Sequence, residues 1–110
     1  MTDRTSKYYS DIVVAAELIL DFTKDISSFS QYQNDLKTKS AVERQLSIIG
    51  EAVSQLRKID ADALQKAQQI VSFRNRLVHA YGTIDDSIVW AIIKNHLPLL
   101  LSEIKEKTGK

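Results

Sequence analysis

One Pro and three Gly in 110 residues leave this chain almost without the punctuation that strands and hairpins need. What remains between those few breaks repeats at helical spacing, so the chain reads as all-α. Ile12, Val13, Ala16, Ile19 and Leu20 form a stripe within a first helix over Ser6–Lys24. Ser27–Asn34, rich in Ser, Gln and Asn, reads as a connection from which Phe29 and Tyr32 pack back on the core. Val42, Leu46, Ile49, Val53 and Leu56 stripe a second helix over Asp35–Ile59. Gly50 sits within that stripe at a cost of about 1 kcal/mol relative to Ala, so a close neighbour or a ligand is expected to need the space.

Asp60 is a candidate N-cap for a third helix carrying Leu64, Val71, Phe73, Leu77 and Val78. Gly82 is a suitable residue to end it, near Tyr81. A fourth helix follows Asp85, lined by Ile88, Val89, Ile92, Ile93, Leu97, Leu100 and Ile104. Pro98 lies inside it, which predicts a kink or break between Lys94 and Pro98. Residues 105–110 are expected to fray. The sum is one domain, 1–110, folded as an antiparallel four-helix bundle.

Composition limits what such a bundle can do. There is no Cys, so disulfides and thiolate metal sites are excluded, which suits a cytoplasmic location. Net charge is +1, so any contact with nucleic acid must be local rather than spread over a basic surface. No apolar run approaches the ~20 residues of a membrane span, and no membrane partner is expected.

The unusual segment is Ser72-Phe73-Arg74-Asn75-Arg76-Leu77-Val78-His79-Ala80-Tyr81. It gathers two Arg, an Asn, a His and a Tyr at the end of a helix. Those residue types suit phosphodiester cleavage. In RNA the 2′-OH can attack its own phosphorus if a base takes its proton and an acid protonates the leaving oxygen. His titrates where it can serve in either role. The planar fork of Arg matches the phosphate oxygens on which charge develops. Asn75 is four residues from His79, on the same helix face, where it could hold the imidazole tautomer or bind a phosphate oxygen. Arg76, three residues from His79, is a further candidate. Arg74 and His79 are five apart, ~140° around a helix axis, so one ideal helix cannot aim both at one point. A site shared between two copies would resolve this. The bland reading of the same residues is a capping His beside a solvated basic face.

The segment resembles the HEPN superfamily, marked by Arg, a polar residue and a following His. Here these are Arg74-Asn75-Arg76-Leu77-Val78-His79. The added Ala80-Tyr81 is similar to the HepT-like branch. Glu43-Arg44-Gln45-Leu46-Ser47-Ile48-Ile49-Gly50-Glu51-Ala52 looks like the second-helix motif of that branch, with Ile-Gly-Glu-Ala intact. Ile88-Val89-Trp90 and Leu97-Pro98-Leu99-Leu100 look like its last helix, and the likeness runs over positions 8 to 104. The chain departs from the pattern in lacking Pro-Trp before Arg74. It also passes directly from Tyr81 to Gly82-Thr83-Ile84-Asp85.

The resemblance implies a HEPN-type bundle that acts as the toxin of a toxin–antitoxin module of the type VII kind. It implies a homodimer whose two motifs line a cleft and cleave RNA, tRNA in some members, without a metal or other cofactor. Arg74, Asn75 and His79 would then be catalytic. The partner would be an MntA-type nucleotidyltransferase antitoxin that transfers AMP from ATP to the motif Tyr, here Tyr81. Arg44 and Glu51, on one face of the second helix, either pair with each other or line the cleft. His96 has no partner pattern and reads as a surface or capping residue. Trp90 reads as core or interface. The alternative is a binding module: a non-catalytic nucleotide- or substrate-binding subunit of a minimal nucleotidyltransferase. A structural bundle carrying a coincidental motif is the third reading.

Overall fold

The computed structural model describes residues 3–79 and 84–109, with residues 76–79 described through their backbone alone. Its regular elements are all helices, and no strand occurs among the described residues. Helix α1 (Asp3–Phe22) buries Tyr9, Ile12, Ala15, Ala16 and Ile19, one contiguous face at three- and four-residue spacing. It ends where the buried Thr23 hydroxyl donates to the Ile19 carbonyl at 2.8 Å.

The expected connection contains a short helix, α2 (Phe29–Gln33), because Ser28 caps it by accepting from the Gln31 N–H at 3.2 Å. That turn drives Tyr32 fully into the core, where it stacks on Trp90 with ring centroids 5.5 Å apart. Trp90 is therefore a packing residue, and Lys94 Nζ lies 4.6 Å from its ring centroid. The Tyr32 hydroxyl is buried without a hydrogen-bond partner among the described residues. Burial, with Glu43 and Asp86 nearby, pushes its ionisation above the usual phenol range.

Helix α3 (Leu36–Ile59) begins at Asp35, which accepts from the Thr38 N–H at 3.1 Å and from its hydroxyl at 2.7 Å. Those bonds hold the Asp35 carboxyl below its ordinary pKa. Val42, Leu46, Ile49, Ala52, Val53 and Leu56 are buried along α3, and its longest packed interface is with α1.

The link to the next helix differs from the sequence expectation. Asp60 ends α3 instead of starting a helix, and its carboxylate accepts from the Asp62 N–H at 3.1 Å. Leu64 then adopts a left-handed conformation, φ 54°, while its side chain is fully buried. That backbone state costs about 1–2 kcal/mol for a non-Gly residue. Two side chains hold it. Arg57 donates to the carbonyls of Ala63 at 3.2 Å and Leu64 at 3.1 Å. Glu103 accepts from the N–H groups of Gln65 at 3.1 Å and Lys66 at 3.0 Å. A 3₁₀ turn, Gln65–Ala67, then leads into α4 (Gln68–His79). Arg57→Ala strips two backbone acceptors of their donor and is expected to lower stability by roughly 1–3 kcal/mol. Urea unfolding measures this, with Arg57→Lys, which keeps the charge but not the fork, falling between.

The expected stop near Tyr81 falls on residues 80–83, outside the described residues. Asp85 caps α5 (Asp86–Ala91) by accepting from the Ser87 N–H at 2.9 Å, as its position in the sequence predicts. The break expected before Pro98 is a π turn, Ile92–His96, closed by the Leu97 N–H bonding to the Ile92 carbonyl. Pro98 has no N–H for the Lys94 carbonyl and its ring crowds it, and the wider turn makes the room. Pro98 then sits in the first turn of α6 (Leu97–Thr108). The chain end does not fray at Lys105. α6 continues to Thr108 because Gly109, at φ 72°, donates to the Lys105 carbonyl as a left-handed C-cap.

Helices α1, α3, α4 and the continuous α5–α6 rod make the antiparallel four-helix bundle. Among the described residues, no helix is long and apolar enough to cross a membrane.

Candidate functional site

The described candidate residues lie on two helices whose spacing is set by one missing side chain. A Cβ built on Gly50 of α3 would fall 2.6 Å from Arg74 Cβ and 2.7 Å from its Cγ. Both are closer than any real contact, so the space expected at Gly50 is filled by the stem of Arg74 from α4. The next residue along α3 takes the head of the same side chain. Arg74 Nη2 donates to Glu51 Oε2 at 2.5 Å, a charge-assisted bond between helices. Glu51 is itself held, since Gln55 Nε2 donates to its other oxygen at 3.1 Å. The Arg74 side chain is 27% exposed and that of Glu51 is 52% exposed, so the pair lies at the surface within reach of a large ligand.

The partner seen for Glu51 is thus Arg74 rather than Arg44. Arg44, seven residues earlier on α3, is exposed on the same side of that helix. Asn75 is exposed on α4, one residue beyond Arg74. The α4 backbone stays helical to His79, so the five-residue step from position 74 keeps its ~140° separation around the axis. The side chains of Arg76 and His79, and all of Tyr81, lie outside what is described. His96 ends the π turn as a half-buried residue of the α5–α6 rod.

At the start of α5 the chain is tied back to α3. Lys39 Nζ bonds Asp86 Oδ2 at 2.8 Å, with side chains only 18% and 13% exposed. It also donates to the Gln33 carbonyl at 3.2 Å. This pair ties the start of α5 to α3. Burial, then repulsion from Asp86, raises the Glu43 carboxyl above its usual range, with Lys39 opposing.

Sequence reading missed Gln55. Its only signal is a spacing of one helical turn from Glu51, which many surface Gln residues share. It also missed Arg57 and Glu103, whose partners are backbone atoms brought near by the fold.

The family model described as Ribonuclease HepT-like matches residues 12–106. This chain belongs to the HepT-like ribonuclease family. A Thermococcus cleftensis protein named "Probable ribonuclease HepT" is 34% identical to this HepT-like chain, over 90% of the chain and 91% of that protein. A Methanocaldococcus jannaschii protein named "Putative RNase MJ0127" is 37% identical, over 87% of this chain and 80% of that protein. A Caldanaerobacter subterraneus protein named "Putative RNase TTE0752" is 32% identical, over 90% and 89%. No solved structure matches the chain. The Gly50–Glu51 pair that receives Arg74 lies within the Ile-Gly-Glu-Ala string that resembles the second-helix motif of this family.

Proposed function

We propose that this HepT-like chain is a metal-independent endoribonuclease whose site combines Arg74 and His79, with Asn75 beside them. The observation that carries the reading is the seating of Arg74. Its stem fills the gap at Gly50 and its guanidinium is tied to Glu51. A cation fixed before substrate arrives stabilises developing phosphorane charge without reorganising during the reaction.

In the proposed step the 2′-oxygen of one nucleotide attacks the adjacent phosphorus. Its proton passes to a base, the O2′–P bond forms and the P–O5′ bond breaks. The departing 5′-oxygen takes a proton from an acid. The products are a 2′,3′-cyclic phosphate and a 5′-hydroxyl, and all protons are accounted for by side chains and water. His79 supplies acid–base chemistry near neutral pH, its protonated form favoured by the C-terminal end of α4. Arg74 binds the non-bridging oxygens. The angle between positions 74 and 79 favours a homodimer in which one copy's Arg74 serves the other copy's His79. Arg44 and Arg76 are cleft candidates that would guide the RNA backbone, tRNA being one candidate substrate.

The proposed control is chemical. An MntA-type nucleotidyltransferase antitoxin would transfer AMP from ATP to the Tyr81 hydroxyl, releasing pyrophosphate. The added negative charge and bulk would oppose the RNA phosphate near Arg74. This makes the chain the toxin of a two-component module.

Arg74→Ala tests the cleavage reading. It is expected to slow cleavage of RNA about a hundred- to a thousand-fold while leaving the helical signal intact. Undiminished cleavage by folded Arg74→Ala would remove Arg74 from the site. Tight ATP or AMP binding by a wild-type protein that cuts no RNA would favour the binding-module reading instead.

A further inference from the structure

We propose that Glu51 is the positioning residue for Arg74, and that Gln55 steadies Glu51 in that task. The inference rests on the reading of Arg74 as the phosphate-binding cation. Its grounds are geometric. An Arg side chain has four rotatable bonds, and a surface Arg ordinarily samples many arrangements before it binds anything. Here the sampling is cut at both ends. Arg74 Cβ, Cγ and Cδ all lie within 3.3 Å of where a Gly50 Cβ would be, so the stem lies along α3. The head is fixed by Glu51, and the Glu51 carboxylate is fixed in turn by Gln55.

The pair contributes little to folding, because an ion pair with one partner half exposed is screened by water and loses side-chain freedom. Its effect is on placement. One bond through Nη2 orients the guanidinium plane and leaves the fork's other N–H groups as the phosphate-binding edge. Glu51 also puts a negative charge where RNA must bind. A residue kept only for affinity would not be acidic at that place. The carboxylate therefore weakens binding of the RNA ground state while aligning Arg74 for the transition state, and the two effects separate kinetically.

Glu51→Gln keeps the size and an acceptor oxygen but removes the charge. It is expected to lower kcat about tenfold or more, with KM for RNA unchanged or reduced and Tm nearly unchanged. Gln55→Leu should give a smaller fall in the same parameter. In the Arg74→Ala background, Glu51→Gln should add little, because Glu51 acts through Arg74.

A second readout does not depend on cleavage. In isotope-labelled protein, NMR should find the Arg74 guanidinium immobilised in the wild type and mobile in Glu51→Gln. Equal mobility in both overturns the proposal, as does a kcat that is unchanged or raised in folded Glu51→Gln. An additive loss in the double variant assigns Glu51 a task of its own and also overturns it. Full activity in Arg74→Ala defeats the functional reading instead, and the NMR comparison still decides whether Glu51 fixes the side chain.

Discussion

Gly50→Val, at a buried position of α3, is expected to destabilise the protein by about 1–3 kcal/mol. The new Cβ would lie 2.6 Å from Arg74 Cβ, an atom one bond from the α4 backbone, so no rotamer change relieves the clash. Helix α4 would have to move away from α3. Its N-terminal end is held by the bonds that Arg57 and Glu103 make to the preceding turn, which resists that movement. The helix propensity regained by replacing Gly is only a few tenths of a kcal/mol for Val and does not offset the clash. Thermal unfolding should show a fall in Tm of about 4–8 °C for each kcal/mol lost. Catalysis should fall further than the unfolded fraction accounts for, because the surviving native molecules have a displaced Arg74. An unchanged Tm would mean that α4 does not seat against Gly50.

The second large effect is chemical. His79→Ala removes the residue assigned the proton transfers, and general acid–base groups contribute about a hundred- to ten-thousand-fold in rate. Cleavage by the variant should fall in that range, with the helical signal and Tm retained. The proposed sharing of each site between two copies adds a stricter consequence. Inactive His79→Ala mixed with inactive Arg74→Ala should regain activity, since a mixed dimer has one site with both residues intact. No recovery after proven subunit exchange would place both residues of each site on one chain.

The bundle was readable where a residue acts on its own backbone neighbours. Asp85 caps the helix expected to follow it, Asp35 caps the helix expected to begin there, and Pro98 forces the interruption expected before it. The reading went wrong where the deciding partner is distant in sequence. Asp60 before an apolar run resembles an N-cap, yet the turn there is held open by Arg57 and by Glu103 from α6. Local spacing cannot reveal a carboxylate that arrives 37 residues later to accept the Lys66 N–H. Ser28 hid a short helix because five residues carry too little periodicity to be recognised.

The candidate site was legible in the same uneven way. Gly50 announced that something needed its space, and the Arg-Asn-His-Tyr string is the basis on which phosphate chemistry is proposed. That Arg74 fills the gap at Gly50 and bonds Glu51 became visible only in the packing of α4 on α3. The competing partner for Glu51 was Arg44, at proper helical spacing. The ion pair across the interface won because Gly50 lets α4 approach closely enough for Arg74 to reach it.

The most direct test of the central claim is cleavage of RNA in excess EDTA by the purified chain, first shown by intact mass to carry no adduct at Tyr81. The substrates should include tRNA and, once a cut is mapped, the same strand with a 2′-deoxy nucleotide at that position. The account predicts cleavage that leaves a 2′,3′-cyclic phosphate, and an intact strand wherever the 2′-OH is missing. Cleavage of the deoxy strand at the same rate, or activity that appears only when a divalent metal is restored, would contradict it.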